Sequence, residues 1–245
     1  ETGAGCLKRM CPLLTVHLTI RQQLDAAFAL RPDIDGILHG LRRIKQGKHG
    51  SRSSLFFSVK NASLIPVESH LERAFCYVLE ADQQVYAYRT QSLSLTYLSH
   101  DIYPDFQVRT TGGEYRIFEV KPAVFQNLEE NLRKAHFVRQ RLASEGTGFS
   151  VINETHCSAR HDYAAITMLY DRGGRYGFSL PLMSQVQEVV AAAPGARLSV
   201  ATLRNLLRKE GMSVHLVEAS LFNGMLRSEE PRLPISSKTE LVVVR

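Results

Sequence analysis

The 245 residues, 44% of them hydrophobic and 22% charged, have the composition of a folded protein with one large or two smaller domains. No run approaches the roughly 18 apolar residues of a membrane helix, and no signal-peptide pattern opens the chain, so we expect a cytoplasmic protein without a membrane partner. The formal net charge of +6 excludes a strongly acidic chain, and the four cysteines contain no C-x-x-C pair, which favours free thiols over zinc ligands.

The first fifty residues are predicted to form a basic helical arm. Apolar residues recur at helical spacing over Thr19–Leu30 and Ile34–Ile44, with Pro32 between the two segments. Residues 1–60 hold ten lysines and arginines against four acids, whereas residues 61–245 hold twenty of each. The densest positive charges are Arg42, Arg43, Lys45, Lys48 and Arg52. Such a segment suits the phosphate backbone of DNA, and a solvated arm that binds nothing is the equal alternative.

A strand and a capped helix open the predicted core. Leu55–Val59 has the pattern of a short strand. Ser69 lies three residues before Glu72, which is a capping-box arrangement. The apolar stripe of the helix that follows comprises Leu71, Phe75, Val78 and Leu79. Glu72 lies at the margin of this stripe, where it can face the edge of a sheet.

Three strands follow, and the last two bring acidic residues together. We expect one strand at Val85–Leu95 and then a hairpin whose arms are Phe106–Arg109 and Tyr115–Val120, joined by a Gly-Gly turn. Asp105 immediately precedes the first arm, and Glu119 lies near the end of the second. Folding of the hairpin therefore carries one carboxylate toward the other.

A lysine accompanies these two acids. Side chains alternate along a strand, so Glu119 and Lys121 share a face while Val120 takes the other. Two carboxylates beside an ammonium form an oxygen-rich site suited to Mg²⁺ and to phosphodiester hydrolysis, and the carbonyl of Val120 could serve as a further ligand. Unrelated charges on a solvated face are the alternative. The apolar neighbours Ile117 and Phe118 favour a central strand, where a charged pair is costly unless a metal and a polar substrate compensate.

A helix and a strand complete the predicted core. A charged helix is expected over Phe125–Ser144, and a strand over Phe149–Asn153. The inward residues of the helix are predicted to be Leu128, Leu132, Ala135 and Leu142. Pro122 ends the preceding strand because it has no N–H for a ladder. The order helix, three strands, helix and strand predicts an α/β fold with a mixed sheet flanked by helices.

The pattern changes after the glycine-rich segment Gly173–Gly177. Helices at Leu182–Ala193, Ser199–Glu210 and Val214–Arg227 are followed by a hairpin at Pro231–Val244. Three helices and a hairpin predict a winged-helix domain. Residues 181–245 carry a charge of +2, from eight basic and six acidic residues, so this domain could bind either DNA or protein.

Three motifs occur in order along the chain: Ser69-His70-Leu71-Glu72, Tyr103-Pro104-Asp105-Phe106 and Phe118-Glu119-Val120-Lys121-Pro122. Their order and spacing resemble those of the TnsA endonucleases, which cut transposon ends and have a restriction-endonuclease-like core of the PD-(D/E)xK superfamily. The similarity covers roughly residues 50–160. The predicted C-terminal winged helix agrees with the second domain of that family.

The resemblance implies a role for each matching position. Glu72 would be the helix-borne metal ligand, Asp105 the central ligand, Glu119 the second strand acid and Lys121 the catalytic lysine. The cofactor would be two Mg²⁺ ions, for which Mn²⁺ could substitute. Some relatives carry a glutamine at the Glu119 position, which makes Asp105 and Lys121 the firmer assignments. Gln91 also recurs in relatives and would have a supporting role.

The resemblance also implies partners and a domain layout. The chain would cut DNA at the 5′ ends of a bacterial transposon, at the nucleoid, with a TnsB-like DDE transposase and a TnsC-like AAA+ regulator, and the element could be CRISPR-associated. The layout is an arm at 1–50, a nuclease domain at 51–172 and a winged-helix-like domain at 178–245. Two alternatives stay open: a restriction or repair endonuclease with the same core, and a non-catalytic winged-helix DNA-binding or assembly factor.

Overall fold

The computed structural model describes residues 18–29, 40–41, 54–230 and 235–244. The predicted helix Ile34–Ile44, apart from Gly40 and Leu41, lies outside the described residues. The same is true of the five basic positions of the predicted arm, Arg42, Arg43, Lys45, Lys48 and Arg52. Cys76 and Cys157 are buried. No helix of the described residues is long and apolar enough to cross a membrane.

The chain divides into two compact units. The first comprises the described residues up to Phe56 together with Asn61–Arg73 and Gln84–Glu154. The second comprises Phe57–Lys60, Ala74–Gln83 and the described residues from Thr155 onward.

The N-terminal elements begin with α1, Ile20–Ala26, which is shorter than the predicted helix. Thr19 caps it, because its hydroxyl accepts the N–H of Gln22 while the Gln22 side chain accepts the N–H of Thr19. Strands β1, Ser54–Ser58, and β2, Ser63–Val67, then precede α2, His70–Ala81. Strand β2 was missed from the sequence because Pro66 lies within it, and proline is a poor strand signal.

The remaining elements of the first unit carry its main sheet. In chain order they are β3 Val85–Thr90, β4 Leu95–Tyr97, β5 His100–Ile102, β6 Phe106–Thr110, β7 Tyr115–Val120, α3 Ala123–Gln126, α4 Glu129–Ala143 and β8 Gly148–Ile152. The main sheet has the order β3-β6-β7-β8, with the first two pairs antiparallel and β7 parallel to β8. The predicted α/β fold with a mixed sheet flanked by helices is confirmed.

The predicted strand Val85–Leu95 is too long. It stops at Thr90 because Gln91 has a left-handed backbone, with φ of 49°, which no strand continues. The carbonyl of Gln91 accepts the N–H of Leu41 at 2.8 Å, so the bend is tied to the chain upstream. The predicted hairpin is confirmed, and Phe106 lies opposite Phe118 in its ladder.

The single predicted helix Phe125–Ser144 is wrong in two respects. It is divided into α3 and α4, since Leu128 has an extended backbone between them. Leu128 and Leu132 are exposed rather than inward. Only the second half of α4 packs into the core, where Val138 and Leu142 join a cluster of buried side chains from other elements, namely Ile20, Leu24, Leu93, Leu95 and Ile117.

The second unit ends in three helices and a small sheet. After α5, Tyr163–Arg172, the order is α6 Leu180–Ala191, β9 Arg197–Ser199, α7 Val200–Lys209, α8 Leu216–Phe222, β10 Leu226–Ser228 and β11 Glu240–Val243. The antiparallel sheet has the order β10-β11-β9. Val186, Leu203, Leu216 and Leu241 are fully buried in its core.

The predicted third helix, Val214–Arg227, is also too long. Gly224 takes a left-handed backbone with φ of 68°, and the N–H of Met225 donates to the carbonyl of Ser220 at 2.9 Å. The left-handed glycine and this hydrogen bond end the helix, as is common at helix C-termini. The segment Leu226–Ser228 is therefore a strand, and it pairs with β11. The predicted hairpin Pro231–Val244 thus begins too late in the chain.

Candidate functional site

Asp105 lies where the main sheet brings two of its strands together. Its backbone carbonyl accepts the N–H of Gln91 at 3.0 Å. Its carboxylate Oδ2 accepts the N–H of Val120, at the end of β7, at 2.7 Å. The hairpin register therefore fixes Asp105 against the strand that carries Glu119 and leads into Lys121.

The electrostatic surroundings of Asp105 are unfavourable to its charge. Burial, followed by the negative charges of Glu119 and Glu72, raises the pKa of Asp105 well above its usual value. The N–H of Val120 and the ammonium of Lys134 act in the opposite direction but do not outweigh these causes. Two carboxylates thus lie within electrostatic reach of Asp105, and a cation beside it would relieve the repulsion.

Glu72 lies in the first turn of α2 with 8% of its surface exposed. Its Oε2 accepts the N–H of Glu68 at 2.8 Å, and its Oε1 accepts the hydroxyl of Ser69 at 2.9 Å. The Ser69 hydroxyl in turn accepts the N–H of Glu72 at 3.1 Å. The capping arrangement predicted for Ser69 and Glu72 is present, although the carboxylate reaches the N–H of Glu68. Both oxygens of Glu72 are therefore engaged at the start of its own helix.

Glu119 is held by two lysines. Its Oε1 lies 3.0 Å from Nζ of Lys134 and 3.5 Å from Nζ of Lys121. Lys134, on α4, was not singled out from the sequence. Its spacing offered a signal, because it lies four residues before Val138 and eight before Leu142, the two buried residues of that helix. A lysine on the inward face of a helix needs a partner, and here the partner is Glu119.

Lys121 is held by side chains of α3 and α4, the two helices that follow β7. Its Nζ donates to Oδ1 of Asn131 at 3.4 Å, and Nδ2 of Asn131 donates to the carbonyl of Phe125 at 2.6 Å. Nε2 of Gln126 donates to the carbonyl of Lys121 at 3.2 Å. Oε1 of Gln126 accepts a hydrogen bond from Nδ2 of Asn153 at 3.1 Å. Sequence reasoning missed these amides, and their polar character alone gave no signal of the role.

Gln91 contacts the site through a further acid. Its side chain is buried, and Nε2 donates to Oε2 of Glu68 at 3.3 Å. Glu68 in turn gives its N–H to Glu72. Gln91 thus connects the bend after β3 to the start of α2 and supports the position of Glu72.

A cavity of about 180 Å³ adjoins the two lysines. Its polar lining includes Glu119, Lys121, Lys134 and Arg139, and its apolar lining includes Phe149. The three basic side chains favour an anion in this cavity, beside the acids Asp105 and Glu119.

The fit of the site to Mg²⁺ is partial. Among the described residues no group of three or more His, Cys, Asp or Glu side chains is arranged to hold a metal ion. Asp105 and Glu119 each engage only one carboxylate oxygen in hydrogen bonds within that part of the chain. Free carboxylate oxygens are the ligands that Mg²⁺ prefers. These two acids therefore suit a divalent cation, whereas Glu72 would first have to leave its helix start.

The predicted catalytic residues all lie in the first unit. The charges of Glu119 and Glu72 both act on Asp105, and Lys121 pairs with Glu119. The basic arm residues lie outside the described residues, so their place relative to this site stays a prediction. No family model matches the sequence, and no curated protein is significantly similar to it.

Proposed function

We propose that the chain is a Mg²⁺-dependent DNA endonuclease with a restriction-endonuclease-like core. The observation that carries this proposal is that Asp105 feels the charges of both Glu119 and Glu72, with Lys121 paired to Glu119. Such a cluster is unfavourable by itself, and strongly perturbed carboxyl groups are concentrated at functional sites. The order of α2, three strands of the main sheet, α4 and β8 also supports the proposal, because it is the order predicted for the core.

The residues of the site divide the work of phosphodiester hydrolysis among them. Asp105 and Glu119 would hold the cation, with the carbonyl of Val120 as a further ligand. When bound, Mg²⁺ polarises the scissile phosphate and acidifies water beside it. Lys121 would orient the attacking water through its Nζ, which also donates a hydrogen bond to Asn131.

The substrate and partners are proposed from the three motifs that resemble TnsA endonucleases. The chain would cut the 5′ ends of a transposon in a bacterial cell, together with a DDE transposase and an AAA+ regulator. The C-terminal helices and sheet would form a winged-helix domain that docks DNA or a partner. We expect weak cutting by the chain alone, because target choice would come from the partners.

The test is an end-cleavage assay with purified transposase, Mg²⁺ and a duplex that carries the transposon end. The wild-type chain should cut, and Asp105→Ala should not. Asp101→Ala is the matched control, because Asp101 is exposed on β5 and lies four residues upstream, where its carboxylate accepts the hydroxyl of Thr96. Equal cutting by Asp105→Ala and wild type would refute the proposal.

Two other outcomes would redirect the assignment. Efficient and sequence-specific cutting of bare DNA without any partner would indicate a restriction or repair enzyme. A calorimetric titration that detects no heat of Mg²⁺ binding for either the wild type or Asp105→Ala would indicate a non-catalytic DNA-binding or assembly factor.

A further inference from the structure

Lys134 lies closer to Glu119 than the lysine predicted to be catalytic. Its Nζ is 3.0 Å from Oε1 of Glu119, while Nζ of Lys121 is 3.5 Å from the same oxygen. Two ammonium groups thus share one carboxylate oxygen. Lys121, two residues further along the chain, already gives Glu119 a counter-charge. The second ammonium, that of Lys134 on α4, therefore needs a separate explanation.

We propose that Lys134 is a positioning residue that acts as an internal cation: it holds Glu119 in the metal-free protein and must release it for the divalent cation to bind. The inference rests on the proposed function, because it concerns the same metal site. An ammonium is a compact point charge on a flexible stem, so it can occupy a carboxylate and still withdraw without refolding of the helix that carries it.

Burial separates this ion pair from an ordinary surface salt bridge. The side chains of Lys134 and Glu119 are 26% and 13% exposed. The adjacent pair on the same helix, Arg133 with Glu129, is 68% and 78% exposed. Exposed pairs of that kind contribute little, whereas a partly buried pair beside two further acids is screened less by solvent. Arg133 is therefore the matched control for Lys134.

The surroundings of Lys134 also allow its release. Its side chain lines the cavity of about 180 Å³ beside the site. Its ammonium can move within that space, which Lys121 and Arg139 also line. The same arrangement accounts for the lack of a preformed three-ligand group among the described residues, since Glu119 is turned to the lysines and Glu72 to its helix start.

The test is calorimetric titration of the full chain with Mn²⁺ in the absence of DNA. We expect Lys134→Met to bind Mn²⁺ about tenfold more tightly than wild type, because it removes both a competitor for Glu119 and a repelling charge. Lys134→Arg keeps the charge and should bind Mn²⁺ no more tightly than wild type does. Arg133→Met should also leave the affinity unchanged. The increase in melting temperature on addition of Mn²⁺ should be larger for Lys134→Met than for wild type.

The opposite result has a distinct meaning. If Lys134 only stabilised the fold, its loss would leave the Mn²⁺ affinity equal or weaker. That result would overturn the inference. The proposed function would still stand, provided that the wild type binds Mn²⁺ in a way that depends on Asp105. Lys134→Gln serves the same comparison if Lys134→Met does not fold. Binding by Lys134→Met alone, with none by wild type, supports the inference. Absence of Mn²⁺ binding in both proteins overturns the inference and the metal-dependent function together.

Discussion

Replacement of Asp105 by asparagine should make the metal-free protein more stable at neutral pH while it removes cleavage. The asparagine keeps a side-chain oxygen that can accept the N–H of Val120, so the variant can still form the hydrogen bond to β7 that measures 2.7 Å in the wild type. It removes the negative charge that burial, Glu119 and Glu72 disfavour. Catalytic sites commonly hold such unfavourable groups, and their neutral replacements often gain stability at the expense of activity.

The direction of the pH dependence follows from the raised pKa of Asp105. In the unfolded chain this carboxyl group loses its proton near its ordinary pKa of about 3.9, whereas in the folded protein it does so at higher pH. Between these two values the unfolded state is deprotonated first, so the free energy of unfolding of the wild type falls as pH rises. Asp105→Asn lacks this contribution. Its advantage should be absent below the ordinary aspartate pKa and complete above the folded pKa.

The net gain is about 1 kcal/mol, since the relief of burial and repulsion is offset in part by a weaker, uncharged bond to Val120. For a chain of this size that corresponds to an increase of roughly 2–4 °C in melting temperature. The assay is thermal unfolding in EDTA followed by circular dichroism at pH 4 and pH 8. Asp101→Asn, on an exposed side chain, should melt as the wild type does at both pH values. An Asp105→Asn protein that melts at or below wild type at pH 8 would contradict the acid cluster.

Three further substitutions test separate parts of the molecule. Lys121→Met should lower the single-turnover cleavage rate by about 10²-fold or more, with DNA binding in Ca²⁺ unchanged in a gel-shift assay; a loss of DNA binding alone would point to a phosphate-binding role instead. Leu142→Ala, at a fully buried position, should reduce the free energy of unfolding by about 3 kcal/mol in urea. A loss below about 1 kcal/mol would mean that α4 is not part of the core. Ser199→Ala removes the hydroxyl that accepts the N–H of Thr202 at the start of α7 and should cost about 1 kcal/mol in the same assay, and no change would show that the cap is dispensable.

The hairpin that carries the site could be predicted because its signals are local. Alternating apolar residues, a Gly-Gly turn and a proline after Lys121 define both arms, and the observed pairing of Phe106 with Phe118 follows from them. The placement of Asp105 next to β7 is a consequence of that register. The capping of α2 by Ser69 was likewise visible, since it depends on residues three apart in sequence.

Features set by distant contacts could not be predicted. The left-handed backbone of Gln91 ends β3 early, yet nothing in a glutamine indicates such a conformation. Its cause lies in contacts with Leu41 and Asp105, which are far away along the chain. The exposure of Leu128 and Leu132 also depends on distant contacts. The helical pattern alone does not say which part of the predicted helix reaches the core. The spacing of Lys134 on α4 indicates an inward position, but it does not identify the partner Glu119, which belongs to another element.

Glu72 illustrates why a local signal can be right and still leave function open. As the residue three positions after Ser69 it completes the start of α2, and both its oxygens are used there. As one of the two acids whose charges act on Asp105, it is also the residue that we propose as ligand for a second cation. The two roles exclude each other in one geometry, since a carboxylate that turns to a metal gives up the N–H of Glu68 and the hydroxyl of Ser69. Each of these hydrogen bonds contributes about 1 kcal/mol. Binding of a second ion by Glu72 would be weakened by their loss, while the cap that Ser69 provides to the N–H of Glu72 would remain.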